Sequence, residues 1–245
     1  MKVTIVNGSP KGEKSATYKM IEPLMEVANS KGYEVNYIEL AGKNIHHCTG
    51  CYSCWFQTPG VCVFQDDMKE LMQQVKNTDY LVYAAPLYTD TVPGLFKNFL
   101  DRMIPMADPR FAQDENGEAV HYSRDKSERP RLKMITLSNC GFPEQSHFES
   151  LSVWYKRLAR NYKADLVGEI YKAQGPMLTA TSIFIKPFIA PFFGNLKKAY
   201  TEIFEEGAIS KELQEKLEKP MVPINMYYSQ ANAKFDELEK KYAKK

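Results

Sequence analysis

The 245-residue sequence has almost no excess charge of either sign. It carries 32 basic and 30 acidic residues, for a formal net charge of +2. Nucleic acids and anionic membrane surfaces attract proteins through clustered positive charge, and this balance gives no indication of either partner. Internal repeats and low-complexity tracts are also missing from the sequence.

Long hydrophobic runs are missing as well. The most apolar stretch, residues 177–193, is interrupted by Lys186, Pro187 and Pro191. It therefore falls short of the roughly 20 uninterrupted apolar residues of a membrane span. An apolar strand follows Met1 directly, so we expect no signal peptide and a cytoplasmic location. In that reducing compartment, the five cysteines are expected to be ligands or catalytic groups rather than disulfides.

Apolar strands alternate with helical patterns through the first 170 residues. Strands are predicted at residues 3–7, 33–40, 80–85, 132–137 and 166–172, and helices at residues 15–29, 66–75, 93–103 and 144–161. This repetition predicts an α/β fold with a parallel sheet covered by helices on both faces. Five strands suit the doubly wound, flavodoxin-like order 2-1-3-4-5, in which a ligand binds beyond the carboxyl ends of the first and third strands.

Two segments exceed this five-strand unit. Residues 107–130 form a polar insertion with an Asp-Glu-Asn-Gly turn at 114–117. A loop of that length is usually functional or mobile. Residues 176–245 turn helical, so we divide the chain into a sheet domain at 1–175 and a helical C-terminal extension at 176–245. The extension is rich in aromatic residues, which indicate core packing or an interface between subunits (Phe184, Phe188, Phe192, Phe193, Tyr200 and Phe204).

A loop rich in glycine and hydroxyl groups follows the first strand. It is not a Walker loop, which ends in Gly-Lys-Ser/Thr, and it lacks Gly-x-Gly-x-x-Gly. Ser9, Ser15 and Thr17 lie near the N-terminus of the next helix together with Lys11 and Ala16. Hydroxyls, helix N–H groups and a lysine make an anion site, and one phosphate monoester, such as that of FMN, would suit it. Alternatively, Ser15 is only a helix cap.

Four cysteines lie within fifteen residues, at Cys48, Cys51, Cys54 and Cys62. This density leaves three explanations open: an iron–sulfur cluster, a zinc site or redox-active thiols. The loop follows the second predicted strand, so it emerges at the same edge of the sheet as the glycine-rich loop. Asp66 and Asp67 come next and are interpreted as the start of a helix rather than as a metal site.

Three motifs, each after a predicted strand, resemble the NADPH-dependent FMN reductase and iron–sulfur flavoprotein group. The first is the loop from Gly8 to Thr17. The second is Ala85-Pro86-Leu87-Tyr88-Thr89 with the helix that follows it, and the third is Ser138-Asn139-Cys140-Gly141-Phe142. The resemblance covers about residues 1–172. It implies that the first loop binds the FMN phosphate, that Pro86–Thr89 and Ser138–Phe142 contact the flavin ring, and that the four cysteines hold a [4Fe–4S] cluster.

The resemblance implies an oxidoreductase that takes electrons from NADH or NADPH through FMN. The acceptor would be a small quinone-like or flavin compound, or a redox protein reached through the cluster, and the assembly would be a homodimer or homotetramer. No histidine pattern suggests a catalytic base, and hydride transfer needs none. A non-enzymatic electron carrier and a zinc-stabilised binding module remain as alternatives. Asp101 and Arg102 are interpreted as an exposed helix pair or a local salt bridge.

Overall fold

The computed structural model describes residues 1–126 and 129–243. Ser127 and Glu128 of the predicted insertion, and Lys244 and Lys245 of the predicted extension, lie outside the described residues. The strands are β1 Lys2–Asn7, β2 Glu34–Glu39, β3 Tyr80–Ala84, β4 Ala107–Gln113, β5 Ala119–Ser123, β6 Lys133–Asn139 and β7 Asp165–Lys172. The α-helices are α1 Ala16–Ser30, α2 Ser53–Phe56, α3 Met68–Val75, α4 Gly94–Asp101, α5 Glu149–Asn161, α6 Lys186–Glu206, α7 Lys211–Glu218 and α8 Ile224–Tyr242.

Five strands form a parallel sheet in the order β2-β1-β3-β6-β7. Counted among the sheet's own strands, this is the predicted order 2-1-3-4-5, which is confirmed. Alternate residues of β3 point to opposite faces: Tyr80 and Val82 pack against α1 and α6, while Leu81 and Tyr83 pack against α3, α4 and α5. The central strands β1, β3 and β6 are buried almost throughout, as expected for strands covered on both faces, whereas the edge strand β2 is mostly half-buried.

The C-terminal segment contributes to the core of the sheet. In α6, the side chains of Phe192, Tyr200 and Phe204 are buried, and the Tyr200 hydroxyl donates a hydrogen bond to the Met20 carbonyl of α1 at 2.8 Å. Core packing is therefore confirmed for these three aromatics. Phe184, by contrast, is 80% exposed. The division of the chain at residue 175 remains a prediction.

The polar insertion contains a β-hairpin that the sequence did not predict. Strands β4 and β5 pair antiparallel, and the predicted Asp114–Gly117 turn joins them. Arg160 of α5 forms ion pairs with Asp114 at 2.5 Å and with Glu118 at 2.8 Å, which fix the hairpin to the sheet domain.

Among the described residues, no helix is long and apolar enough to cross a membrane.

Candidate functional site

The glycine-rich loop between β1 and α1 is tightly folded. Ser9, Ser15 and Thr17 are buried, and the chain makes a short 3₁₀ turn over Gly12–Lys14. The Ser15 hydroxyl accepts a hydrogen bond from the Tyr18 amide at 3.0 Å and donates one to the Gly12 carbonyl at 2.6 Å. Ser15 is thus the N-cap of α1, as one of the two sequence interpretations held. Ala16 begins the helix, and Lys11 is exposed beside it.

Two glycines let this loop lie close to its neighbours. A Cβ atom at Gly8 would stand 2.5 Å from the Phe96 ring of α4. A Cβ at Gly12, whose φ is +52°, would stand 2.4 Å from a carboxylate oxygen of Glu39. Only glycine fits at either position without displacing a side chain. Glu39, at the end of β2, is therefore part of the loop's floor, and nothing in the sequence pattern pointed to it.

The loops after β1, β3 and β6 are joined by hydrogen bonds at one edge of the sheet. The Asn139 side-chain amide donates to the Thr17 hydroxyl at 2.8 Å, and both groups are buried. The Leu87 amide donates to the Asn139 carbonyl at 2.8 Å, and the Gly8 amide donates to the Ala84 carbonyl at 2.7 Å. The structure thus brings the three loops named by the sequence motifs into a single rim.

The second loop ends in a tight two-residue turn. Tyr88 and Thr91 exchange backbone hydrogen bonds at 3.1 Å, and the two residues between them, Thr89 and Asp90, have φ values of 47° and 60°. Positive φ at both central positions characterises a type I′ turn, which is unusual for a β-branched threonine. Pro86 and Leu87 are half-buried at its base, and Tyr88 is exposed.

The third loop exposes its tip. Phe142 is exposed and stacks on the His147 ring with centroids 4.1 Å apart. Ser138 and Cys140 are buried, and burial raises the pKa of the Cys140 thiol to about 11. This agrees with the interpretation of Cys140 as a small loop residue rather than a nucleophile. Within the described part of the chain, the Ser138 hydroxyl has no hydrogen-bond partner.

Helix α8 reaches the third loop through two tyrosines. The Tyr227 hydroxyl donates to the Gly141 carbonyl at 2.8 Å, and the Tyr228 hydroxyl donates to the Glu144 carboxylate. None of the α8 residues that the structure describes is buried, so these polar contacts are its main attachment to the loop. No sequence pattern indicated that the C-terminal helix reaches this rim.

The four clustered cysteines line one small, partly enclosed hollow of about 20 Å³. Cys54 is buried in the short helix α2, and Cys48 and Cys51 are exposed. Burial raises the pKa of the Cys54 thiol, and negative charge on Cys62, Cys48 and Cys51 raises it further, which reflects how near the four sulfurs are to one another. Hydrogen bonds from Ser53 lower the pKa of Cys51.

Backbone conformation turns the cysteine loop back on itself. Gly50 and Tyr52 have φ values of 66° and 57°, and Trp55 donates from its indole nitrogen to the Ile104 carbonyl at 3.2 Å. The Trp55 ring lies 5.0 Å from the His121 ring of the hairpin, so Trp55 packs the loop against β5. Within residues 1–126 and 129–243, no three His, Cys, Asp or Glu side chains are placed to hold a single metal ion.

Arg102 corrects one expectation. It is 1% exposed and forms a buried ion pair with Asp66, rather than an exposed pair with Asp101. Asp101 instead forms an exposed pair with Lys97, one turn earlier in α4. The Arg102 side chain belongs to the wall of the cysteine hollow. Burial opposes its charge, but Asp66 and Cys62 outweigh that penalty and raise the pKa of the guanidinium.

Asp66 also serves the start of α3, as the sequence predicted. One of its oxygens accepts from the Met68 amide at 3.2 Å, and the other accepts from the His46 amide at 2.9 Å. Burial raises the pKa of the Asp66 carboxyl, but Arg102 and these backbone amides together hold it below the usual value. The carboxylate therefore joins α3, the residues before Cys48 and Arg102.

A model of the NADPH-dependent FMN reductase family matches residues 1–127. The chain belongs to this family. The match covers the first two loops of the rim and the cysteine loop, and the third loop lies beyond it. The family is one of flavin oxidoreductases. In the structure, each matched motif follows the strand after which the sequence analysis placed it.

Several curated relatives are named iron–sulfur flavoproteins. One from Archaeoglobus fulgidus is 36% identical over 105 residues, which are 43% of this chain and 46% of the relative. One from Methanosarcina thermophila is 30% identical over 112 residues, which are 46% of this chain and 57% of the relative. The chain thus spans about half the length of these curated relatives.

Solved structures share the fold at low sequence identity. An FMN-dependent NADH-azoreductase from Bacillus anthracis, solved with FMN, has a TM-score of 0.59 and 16% identity over 82% of this chain and 98% of that one. An NAD(P)H:quinone oxidoreductase from Methanothermobacter marburgensis has a TM-score of 0.58 and 13% identity over 84% of this chain and 98% of that one. At such identities the likeness concerns the fold alone.

Proposed function

We propose that the protein is an FMN-dependent NAD(P)H oxidoreductase. The main observation behind this proposal is the buried hydrogen bond between Asn139 and Thr17. It joins the glycine-rich first loop to the third loop at the carboxyl edge of the sheet. Ligands of open α/β sheets bind at this edge. Family membership supports FMN as the ligand and a reduced nicotinamide as the electron donor.

The residues of the first loop suit a phosphate monoester. The backbone N–H groups at the start of α1, including those of Ala16 and Thr17, have no partners within the helix and favour an anion. Lys11 is exposed beside them and can add a positive charge. Ser9 lies buried in the loop, and the Ser15 hydroxyl acts by holding the loop's shape because the cap already uses it.

The second and third loops suit the flavin ring. Pro86–Thr89 and Ser138–Phe142 offer backbone groups to the polar edge of the ring, and the exposed Tyr88 and Phe142 can cover its face. The free Ser138 hydroxyl is one unfilled donor among the residues that the structure describes. Bound FMN would supply the redox chemistry, in which NAD(P)H, a proton and an oxidised acceptor give NAD(P)⁺ and the acceptor reduced by two electrons.

The cysteine loop suits a [4Fe–4S] cluster held by Cys48, Cys51, Cys54 and Cys62. Four thiols line one hollow, and the curated relatives are named iron–sulfur flavoproteins. Such a cluster is larger than a single ion, so it suits sulfurs that are not placed around one metal. When bound, it supplies one-electron transfer, which would extend the acceptors from small quinone-like or flavin compounds to redox proteins. We also propose a homodimer or homotetramer.

The test is an absorption spectrum with iron and acid-labile sulfide assays on protein purified without oxygen. We expect flavin bands, a broad shoulder and about four irons per chain. Flavin without iron would leave an FMN reductase with free thiols in the loop. Zinc without flavin would favour a binding module, and failure to bind added FMN would refute the proposal.

A non-enzymatic electron carrier is the second candidate, favoured by the exposure of Cys48 and Cys51 to solvent. Rapid mixing with NADH and NADPH separates the two functions. An oxidoreductase reduces its flavin quickly with at least one nicotinamide, whereas a carrier does so only in the presence of a separate reductase.

A further inference from the structure

Arg102 is the largest side chain that is almost fully buried, and it lies in the wall of the cysteine hollow. It follows α4 directly, so a rigid helix sets its position. The guanidinium carbon lies 5.0 Å from the centre of the Phe64 ring, which belongs to the same wall as Cys62. The hollow therefore has a fixed positive charge at its base.

The guanidinium is held firmly on one side only. Its two terminal nitrogens donate to the Asp66 carboxylate at 2.7 and 3.0 Å, and one of them also donates to the His46 carbonyl at 2.9 Å. The remaining nitrogen, Nε, is buried and has no hydrogen-bond partner among the described residues. An unsatisfied buried donor destabilises a folded protein, so an acceptor in the hollow would relieve that penalty.

Asp66 balances the charge of Arg102 from outside the hollow. Its side chain is fully buried but does not line the hollow, whereas Arg102 does. The cation is therefore the nearer end of the pair for anything that the four cysteines hold. Fold stability alone does not require such a pair, because replacing a buried ion pair by apolar residues is often neutral or stabilising.

We propose that Arg102 is a positioning residue whose fixed positive charge favours reduction of the group held by Cys48, Cys51, Cys54 and Cys62. This inference rests on the proposed four-thiolate site. One-electron reduction adds a negative charge in the hollow, which the nearby guanidinium stabilises. The reduction potential of such sites depends on net charge, hydrogen bonds to sulfur and exposure to solvent. Asp66 opposes the effect from a greater distance.

The experiment compares charge variants after anaerobic reconstitution with iron and sulfide. The double variant Arg102→Met/Asp66→Asn removes both charges, and Asp66→Asn alone leaves the cation without its counter-charge. Lys97→Met/Asp101→Asn removes the exposed pair of the same helix and is the matched control, since its net charge change is also zero. Iron per chain and the midpoint potential from a redox titration followed by electron paramagnetic resonance are measured.

We expect the two variants that change Asp66 to shift the reduction potential in opposite directions. In the double variant, the ratio of reduced to oxidised cluster at a fixed potential should fall about tenfold, which is a potential lower by about 59 mV for one electron. Asp66→Asn alone should raise the ratio, and the control should match the wild type. If the ion pair had only a structural role, the shift in potential would not change sign between these variants.

The outcomes separate this inference from the function on which it rests. A wild type that binds no iron would refute the four-thiolate site and the inference together. A wild type with iron, but with a potential that Asp66→Asn leaves unchanged or lowers, would overturn the role of Arg102 alone. If Asp66→Asn does not fold because it leaves the buried guanidinium unpaired, the double variant decides instead: a lowered potential supports the inference, and an unchanged or raised one overturns it.

Discussion

The buried contact between Thr17 and Asn139 offers the sharpest test of the rim. Changing Thr17→Val keeps the shape of the side chain and removes the acceptor of the 2.8 Å hydrogen bond from Asn139. The Asn139 amide then stays buried without its partner, which is expected to destabilise the arrangement by about 1–3 kcal/mol. If binding of FMN requires both loops in this arrangement, part of that penalty falls on binding.

We therefore expect the dissociation constant of FMN to rise about tenfold, which corresponds to about 1.4 kcal/mol. Quenching of flavin fluorescence during titration of the apoprotein measures the dissociation constant. Urea unfolding of the apoprotein measures the part of the penalty that falls on the stability of the fold. Thr17→Ser keeps the hydroxyl and should bind FMN like the wild type. Thr201→Val removes a hydroxyl contact of the exposed face of α6 and is the matched control.

One result would refute the reasoning. If Thr17→Val lowers the free energy of unfolding but leaves the dissociation constant of FMN unchanged, the Thr17–Asn139 contact serves only the fold. The three loops would then not act as one site, and the proposal that FMN lies along this rim would lose its main support.

Three further predictions concern the loop, the sheet edge and α8. Gly8→Ala should weaken FMN binding and destabilise the protein by about 1–3 kcal/mol, measured by urea unfolding, because its Cβ would overlap the Phe96 ring. Burial lowers the pKa of Lys172 to about 8. Between this value and the ordinary lysine pKa of about 10.4, the unfolded chain binds more protons than the folded protein. The free energy of unfolding, relative to that of Lys172→Met, should therefore rise with pH across this range by up to about 3 kcal/mol in unfolding experiments. Tyr227→Phe removes the bond to Gly141, and hydrogen exchange of α8 should then accelerate while the exchange of α1 does not change.

Local sequence patterns predicted the sheet because its strands are short apolar or alternating segments bounded by turns. The order of the strands and the meeting of three loops at one edge followed from the β-α alternation, which permits few topologies. The N-cap role of Ser15 was one of two sequence interpretations, and the geometry of its hydroxyl bears it out. Such features depend on residues close together in the chain.

The features that were not predicted depend on residues far apart in the chain. Arg102 and Asp66 are separated by 36 positions, and each alone looks like an ordinary surface charge at a helix end. The β4–β5 hairpin is polar, and its attachment to the sheet domain depends on ion pairs from Arg160 of α5. No periodic pattern records pairing across such distances, so only the folded chain reveals it.

The rim and the cysteine hollow differ in how they are held, and this difference bears on how electrons would move. Neutral, buried hydrogen bonds join the three loops of the rim, so the rim suits a cofactor that must be oriented and shielded from water. The hollow is lined by four cysteines, the buried Arg102 and the rings of Tyr52 and Phe64, and two of its cysteines are exposed, so it suits a group that exchanges charge with the outside. Helix α4 lies beside both, since Phe96 packs under Gly8 and Arg102 follows the last turn. If FMN and a cluster occupy the two sites as proposed, this rigid helix would keep them at a constant separation, and we expect substitutions that loosen α4 to impair both sites together.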